Sequence, residues 1–182
     1  MNVEVKARIS DRDALLRLLE PMAESHRLLR QTDTFFRVGH GRLKLRQSTA
    51  CGLDGTPAEE SCALFFYDRP DVPGPKLSRY EKLRLDSLQA ALTFKSMLER
   101  SLGTLGTVSK ERHLLLLGST RVHVDRVQGL GDFLELEVPL GEGQRLEEGE
   151  AAAEALLATL GVERDSLVPG SYLDLLAHMY TT

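Results

Sequence analysis

The N-terminal stretch Asn2-Val3-Glu4-Val5-Lys6-Ala7-Arg8-Ile9 alternates without a break. Successive side chains of a strand point to opposite faces. Val3, Val5, Ala7 and Ile9 therefore share one face, and Asn2, Glu4, Lys6 and Arg8 share the other. That polar face carries an acid and two bases. The pattern returns in Arg42-Leu43-Lys44-Leu45-Arg46, in Arg121-Val122-His123-Val124-Asp125 and in Glu135-Leu136-Glu137-Val138. An ordinary amphipathic strand turns its polar face to water and needs no particular charge there. Here the charges are dense and of both signs, and mostly basic strands precede mostly acidic ones. A sheet of such strands that closes on itself would gather the charges in one hollow and leave the apolar residues outside. A hollow of that kind suits a polyanion held together with a cation.

The 182 residues suffice for one domain with a sizeable core and are short for two, so a single domain over 1–182 is expected. A net charge of −4 argues against a general nucleic-acid binder but leaves room for a local basic site. No apolar run approaches the roughly 20 residues that span a bilayer, so no membrane partner is expected. The strand pattern begins at once and leaves no place for a signal peptide, which points to the cytoplasm. Cys51 and Cys62 have no His or Cys neighbours at metal-ligand spacing and read as free thiols in a reducing compartment. The sequence leaves monomer and homodimer open.

Strands are expected over 2–9, 26–38, 42–49, 62–69, 76–85, 106–117, 120–127 and 132–139. Helices are expected after Ser10 or Asp11, over 88–102 behind a Ser87 cap, over 147–160 before Gly161, and over 171–180. The Gly-, Pro- and acid-rich segment 50–60 reads as an exposed loop. The strands come in runs without a helix after each, which predicts a mainly antiparallel sheet and the α+β class. Eight antiparallel strands can close into a barrel whose interior holds side chains or a small ligand, with the helices packed outside.

Glu4, Asp125, Glu135 and Glu137 are the candidate metal ligands. Glu135 and Glu137 stand two apart on a strand, so their carboxylates lie roughly 7 Å apart on one face. Hard oxygen ligands at that spacing suit Mg²⁺ or Mn²⁺ shared with a phosphate chain. The basic group is Lys6, Arg8, Arg42, Lys44, Arg46, Lys76, Arg79, Lys110 and Arg112. Lys6/Arg8, Lys44/Arg46 and Lys110/Arg112 are each two apart and face one way. Guanidinium forks and lysine point charges both bind phosphate. The plain alternative, a solvated face, fits any one of these strands better than all of them together. His123 shares the parity of Asp125, and a neutral, satisfied imidazole explains it equally well. Tyr67 and Tyr80 are candidates for a tunnel mouth. Asp33, in Asp33-Thr34-Phe35-Phe36, is hard to place because the alternation there is mixed.

These residues resemble the CYTH superfamily, the triphosphate tunnel metalloenzymes, and within it the branch named after class IV adenylate cyclases. Asn2-Val3-Glu4-Val5-Lys6 stands where that family has ExExK. The likeness continues through Gln31–Phe36, Leu43–Arg46, Gly74–Tyr80, Val108–Arg112, Val124–Val127 and Gly131–Glu137. The resemblance implies a closed eight-stranded antiparallel tunnel. In it Lys6, Arg8, Lys44, Arg46, Lys76, Lys110 and Arg112 would hold a triphosphate, with Arg79 beside them. Glu4, Asp125, Glu135 and Glu137 would hold Mg²⁺ or Mn²⁺, and Glu4, Lys6 and Glu137 would be catalytic. It implies a hydrolase acting on inorganic triphosphate, thiamine triphosphate or a nucleoside triphosphate. The alternatives are a class IV adenylate cyclase making cyclic AMP and pyrophosphate, and a non-catalytic triphosphate-binding protein. One departure stands out: Asn2 replaces the first motif Glu, and an amide offers oxygen without charge.

Overall fold

A computed structural model describes residues 1–179. Its strands are β1 (Asn2–Arg8), β2 (Ser25–Phe36), β3 (Arg42–Cys51), β4 (Pro57–Asp68), β5 (Lys76–Leu85), β6 (Thr104–Leu117), β7 (Thr120–Val127) and β8 (Gly131–Pro139). Its helices are α1 (Arg12–Leu19), α2 (Leu88–Leu102), α3 (Leu146–Thr159) and α4 (Tyr172–Met179). Residue 180, the expected end of the last helix, lies outside the described residues. The strands form a closed barrel in the order β1-β5-β4-β3-β2-β6-β7-β8, and every pairing is antiparallel.

Local chemistry sets the boundaries. The Asp11 carboxylate accepts from the Ala14 amide and starts α1, and the Ser87 hydroxyl accepts from the Ala90 amide and starts α2. Gly103 ends α2 at φ +76°, a conformation that costs glycine little. The segment 50–60 is shorter as a loop than the sequence suggests. Cys51 pairs with Pro57 and Ala50 with Glu59, so β3 and β4 run on and only 52–56 form the turn. Two long strands that share a ladder override the weak strand preference of Pro and Glu.

The apolar faces lie outside the barrel. Val3 and Val5 of β1, Val122 and Val124 of β7, and Leu134 and Leu136 of β8 are fully buried beneath Leu15 and Leu19 of α1 and Ala153 and Leu157 of α3. Burying a Val or Leu side chain contributes about 1.5–3 kcal/mol relative to exposure. Holding the core outside frees the inner face for charge. One end of the barrel is plugged by Phe35, Val108, Val127 and Phe133 packed with Tyr172 of α4. Among the described residues no helix is long and apolar enough to cross a membrane.

Candidate functional site

The barrel encloses a cavity of about 680 Å³. Strand parity decides what lines it. Glu4 and Lys6 of β1, Asp33 of β2, Lys44 and Arg46 of β3, Lys110 and Arg112 of β6, His123 of β7, and Glu135 and Glu137 of β8 all face inward. Ten Lys and Arg side chains and five Asp and Glu side chains line the cavity, an excess of five positive charges in a chain of net charge −4.

The charges fall on two walls. On the basic wall Asp33, 2% exposed, is a hub: Lys44 Nζ donates to it at 3.0 Å, Lys110 Nζ at 3.2 Å, and Arg46 through Nε at 2.6 Å and Nη2 at 2.7 Å. Burial alone would raise its pKa, but Arg46, Lys110 and Lys44 outweigh that and hold it well below the usual carboxylate range. Burial, with Arg46 adjacent, brings Lys44 down to about 8 against the pull of Asp33. Burial takes Lys110 well below its ordinary value too. One carboxylate thus holds three cations, and burial lowers the pKa of two of them, Lys44 and Lys110.

On the acidic wall Glu4 is paired with Glu137, and Lys6 with Glu135, across the β1–β8 ladder. Lys6 Nζ lies 3.5 Å from Glu135 Oε1, and Arg112 Nη2 donates to Glu135 Oε2 at 2.9 Å. Burial opposes ionisation of Glu135, yet Lys6, His123 and Arg112 prevail and keep its pKa well below normal. Glu4 goes the other way. Burial and the neighbouring Glu135 raise its pKa against Arg69, which donates to Glu4 Oε2 at 2.6 Å. Arg121 Nε donates to Glu137 Oε2 at 2.8 Å. His123, Glu135 and Glu137 can each offer one ligand atom within 4.8 Å of the others, which is the spacing of a single metal site.

Five of the residues named from the sequence do not line the cavity. Arg79 is exposed and has the parity opposite to Lys76, so it points away from the cavity. Arg8 has inward parity but lies beyond the Phe133 plug; it is exposed, donates to the Leu130 carbonyl at 3.2 Å and covers the Phe133 ring. Lys76 has inward parity and is buried beside Arg69, Lys6 and Glu4, with Nζ donating to the Val72 carbonyl at 2.7 Å. Asp125 sits beneath the site: Arg112 binds both its oxygens at 2.7 and 2.6 Å, and the Tyr172 hydroxyl donates to it at 2.7 Å. Arg42 is engaged by Asp71 and Asp174 and does not line the cavity.

Other lining residues escaped the sequence reading. Lys82 and Arg84 share the parity of Lys76 and were open to that argument. Arg69 follows the end of β4 and precedes Pro70, where parity has no meaning. Asp33 is inward together with Gln31 and Phe35, and its alternation looked mixed only because the inner face holds an aromatic ring.

A closed antiparallel barrel with a charged, two-walled tunnel defines the class. The CYTH domain model matches residues 1–172, and the chain belongs to that family. Members bind triphosphates and act as triphosphatases or adenylate cyclase-like enzymes with a divalent metal. No curated protein matches the sequence. Among solved structures, the PH1819 protein of Pyrococcus horikoshii OT3 superimposes with a TM-score of 0.76 at 19% identity, covering 98% of this chain and 99% of that one. An adenylate cyclase candidate from Vibrio parahaemolyticus gives 0.70 at 19% identity, covering 97% of each chain. An adenylyl cyclase candidate from Hippeastrum, HpAC1, described as having a dominant triphosphatase activity, gives 0.62 at 15% identity, covering 98% and 96%.

Proposed function

We propose that this protein is a divalent-metal-dependent hydrolase of a triphosphate bound in the tunnel. One observation carries the reading: Lys44, Arg46 and Lys110 converge on the Asp33 carboxylate across the hollow from Glu4, Glu135 and Glu137. Burying ions costs several kcal/mol each unless they are paired, and the unbalanced positive charge of this cavity fits a polyanion.

Phosphoryl transfer asks mainly for positioning and neutralisation of charge. Arg46, Lys110 and Lys44 would clamp phosphate oxygens, and Lys6 would reach them from β1. Arg112 is aimed by Asp125 and Tyr172 and would hold the chain in line. A divalent ion on the acidic wall would offset charge on the phosphate oxygens. Glu4, whose pKa burial and Glu135 raise, is suited to accept a proton from an attacking water. The family likeness to triphosphatases supports the same direction.

Adenylate cyclase is the second reading. Leu29, Ala50 and Leu114 face the cavity beyond the clamp and offer an apolar wall to an organic head group. The two readings separate in one assay. Tripolyphosphate, thiamine triphosphate and ATP are each incubated with Mg²⁺ or Mn²⁺, and orthophosphate, pyrophosphate and cyclic AMP are measured. Orthophosphate is expected. Cyclic AMP with pyrophosphate and little orthophosphate would overturn hydrolysis, and thermal stabilisation without turnover would mark a binding protein.

A further inference from the structure

His123 is 2% exposed, and its Nε2 has no hydrogen-bond partner among the described residues. A buried polar atom left bare costs about 1–3 kcal/mol, so its survival in a functional cavity calls for a ligand. The other ring nitrogen, Nδ1, lies 3.3 Å from Glu135 Oε2. With the proton on Nδ1 and directed at that carboxylate, Nε2 carries a free lone pair. Carboxylate–imidazole pairs of this kind orient metal-binding histidines. Nε2 lies 4.0 Å from Glu137 Oε2, less than twice a usual metal–nitrogen bond of about 2.1 Å.

The rest of the acidic wall is already provided with cations. Glu4 receives the Arg69 guanidinium. Glu137 receives Arg121, and the amide orientation that satisfies both ends of Asn2 has its oxygen accepting from Arg121 Nη2 at 2.9 Å and its nitrogen donating to the Met1 carbonyl at 3.0 Å. Arg121 therefore bridges Glu137 and Asn2 with a fixed positive charge. Asn2 is the position that brings oxygen without charge, so a mobile divalent ion there has one acid fewer to hold it and a guanidinium in its way.

We propose that the tunnel binds a single divalent ion through His123 Nε2 with Glu137, Glu135 orienting the imidazole from its other nitrogen, and that the Arg121 guanidinium, seated between Glu137 and Asn2, takes the place of a second ion. The inference deepens the triphosphatase reading and rests on the same cavity. A nitrogen ligand among the oxygens favours transition ions over Mg²⁺, which prefers an all-oxygen shell.

The test uses the whole protein with Mn²⁺ alone and no substrate. Titration followed by the EPR signal of free Mn²⁺ counts the ions, and pulsed EPR reads nitrogen coupling to the bound one. One Mn²⁺ per chain with nitrogen-14 coupling is expected, and Mg²⁺ should compete about tenfold or more less well. His123→Ala should abolish the coupling and weaken Mn²⁺ binding about tenfold or more. In the double variant Asn2→Glu with Arg121→Ala, the stoichiometry should rise to two. Two ions in the unaltered protein, no bound ion, or one ion without nitrogen coupling would overturn the inference. So would a folded double variant that still takes one. Should that variant not fold, the unaltered protein decides by itself. Phosphate release by a protein that binds two Mn²⁺ would remove this inference and keep the hydrolase; a nitrogen-ligated single ion without turnover would do the reverse.

Discussion

Asp33 on β2 accepts from Lys110 on β6 at 3.2 Å, inside the barrel, with both side chains almost fully enclosed. The same carboxylate serves Lys44 and Arg46. A single acid therefore holds the basic wall together in the absence of ligand, and a polyanion entering the cavity would compete with it for the same donors.

Asp33→Asn should be among the most damaging single changes. It leaves three buried cations without their counter-ion, and breaking a buried pair from one side costs about 3–5 kcal/mol. A large fall in the thermal midpoint is expected, with partial recovery when tripolyphosphate is added. A midpoint unmoved by the substitution would mean that the hub carries no such burden.

Anion binding should weaken as pH rises through about 8. Burial brings Lys44 to about 8, so above that value the clamp loses a charge. Lys44→Arg keeps its charge and should flatten the profile between pH 7 and 9, measured as tripolyphosphate affinity by calorimetry. The sign for stability is opposite. The unfolded lysine keeps its proton up to about 10.5, so the contribution of Lys44 to stability rises between pH 8 and 10.5.

Outside the barrel, His113 lies 2.8 Å from His26, nitrogen to nitrogen. Burial, Arg12 and His26 bring it down to about 4 from an ordinary 6.5. The folded form stays neutral while the unfolded form takes up a proton, so this group costs stability as pH falls from 6.5 towards 4. Thermal midpoints across that window should drop less steeply for His113→Phe than for the unaltered protein.

Gly149→Ala should destabilise, although alanine is the better helix former by roughly 0.5–1 kcal/mol. A Cβ there would lie 2.7 Å from both Val3 Cγ2 and Leu140 Cδ2, where α3 crosses β1. Overpacking of this kind costs about 1–3 kcal/mol, which outweighs the helix gain. Chemical denaturation measures the balance, and a more stable variant would show that the crossing can relax.

Most of this architecture was written in parity. Alternation in β1, β3, β7 and β8 separated inner from outer residues, and capping at Ser87 and Gly103 bounded α2 to the residue. The site was less legible because parity says which way a side chain points and nothing about depth or partners. Arg8 has the right parity and falls below the plug. Lys76 has it, yet its ammonium is turned to the Val72 carbonyl. Asp125 has it and is enclosed by Arg112 and Tyr172. Arg79 was grouped with the basic residues although its parity opposes that of Lys76, and it is exposed. Arg69 comes from beyond a strand end, where only the three-dimensional course of the chain brings it to Glu4.

The seam that closes the barrel has a kinetic meaning. β1 meets β8 through seven residue pairs but β5 through only three, Asn2 with Ser78, Val3 with Leu77 and Glu4 with Lys76. Both partners lie far along the chain, and distant pairings of this sort form slowly. β1 therefore completes its pairing only once β8 exists. Since β1 carries Glu4 and Lys6, these two side chains join the cavity wall opposite Glu137 and Glu135 only when that seam closes.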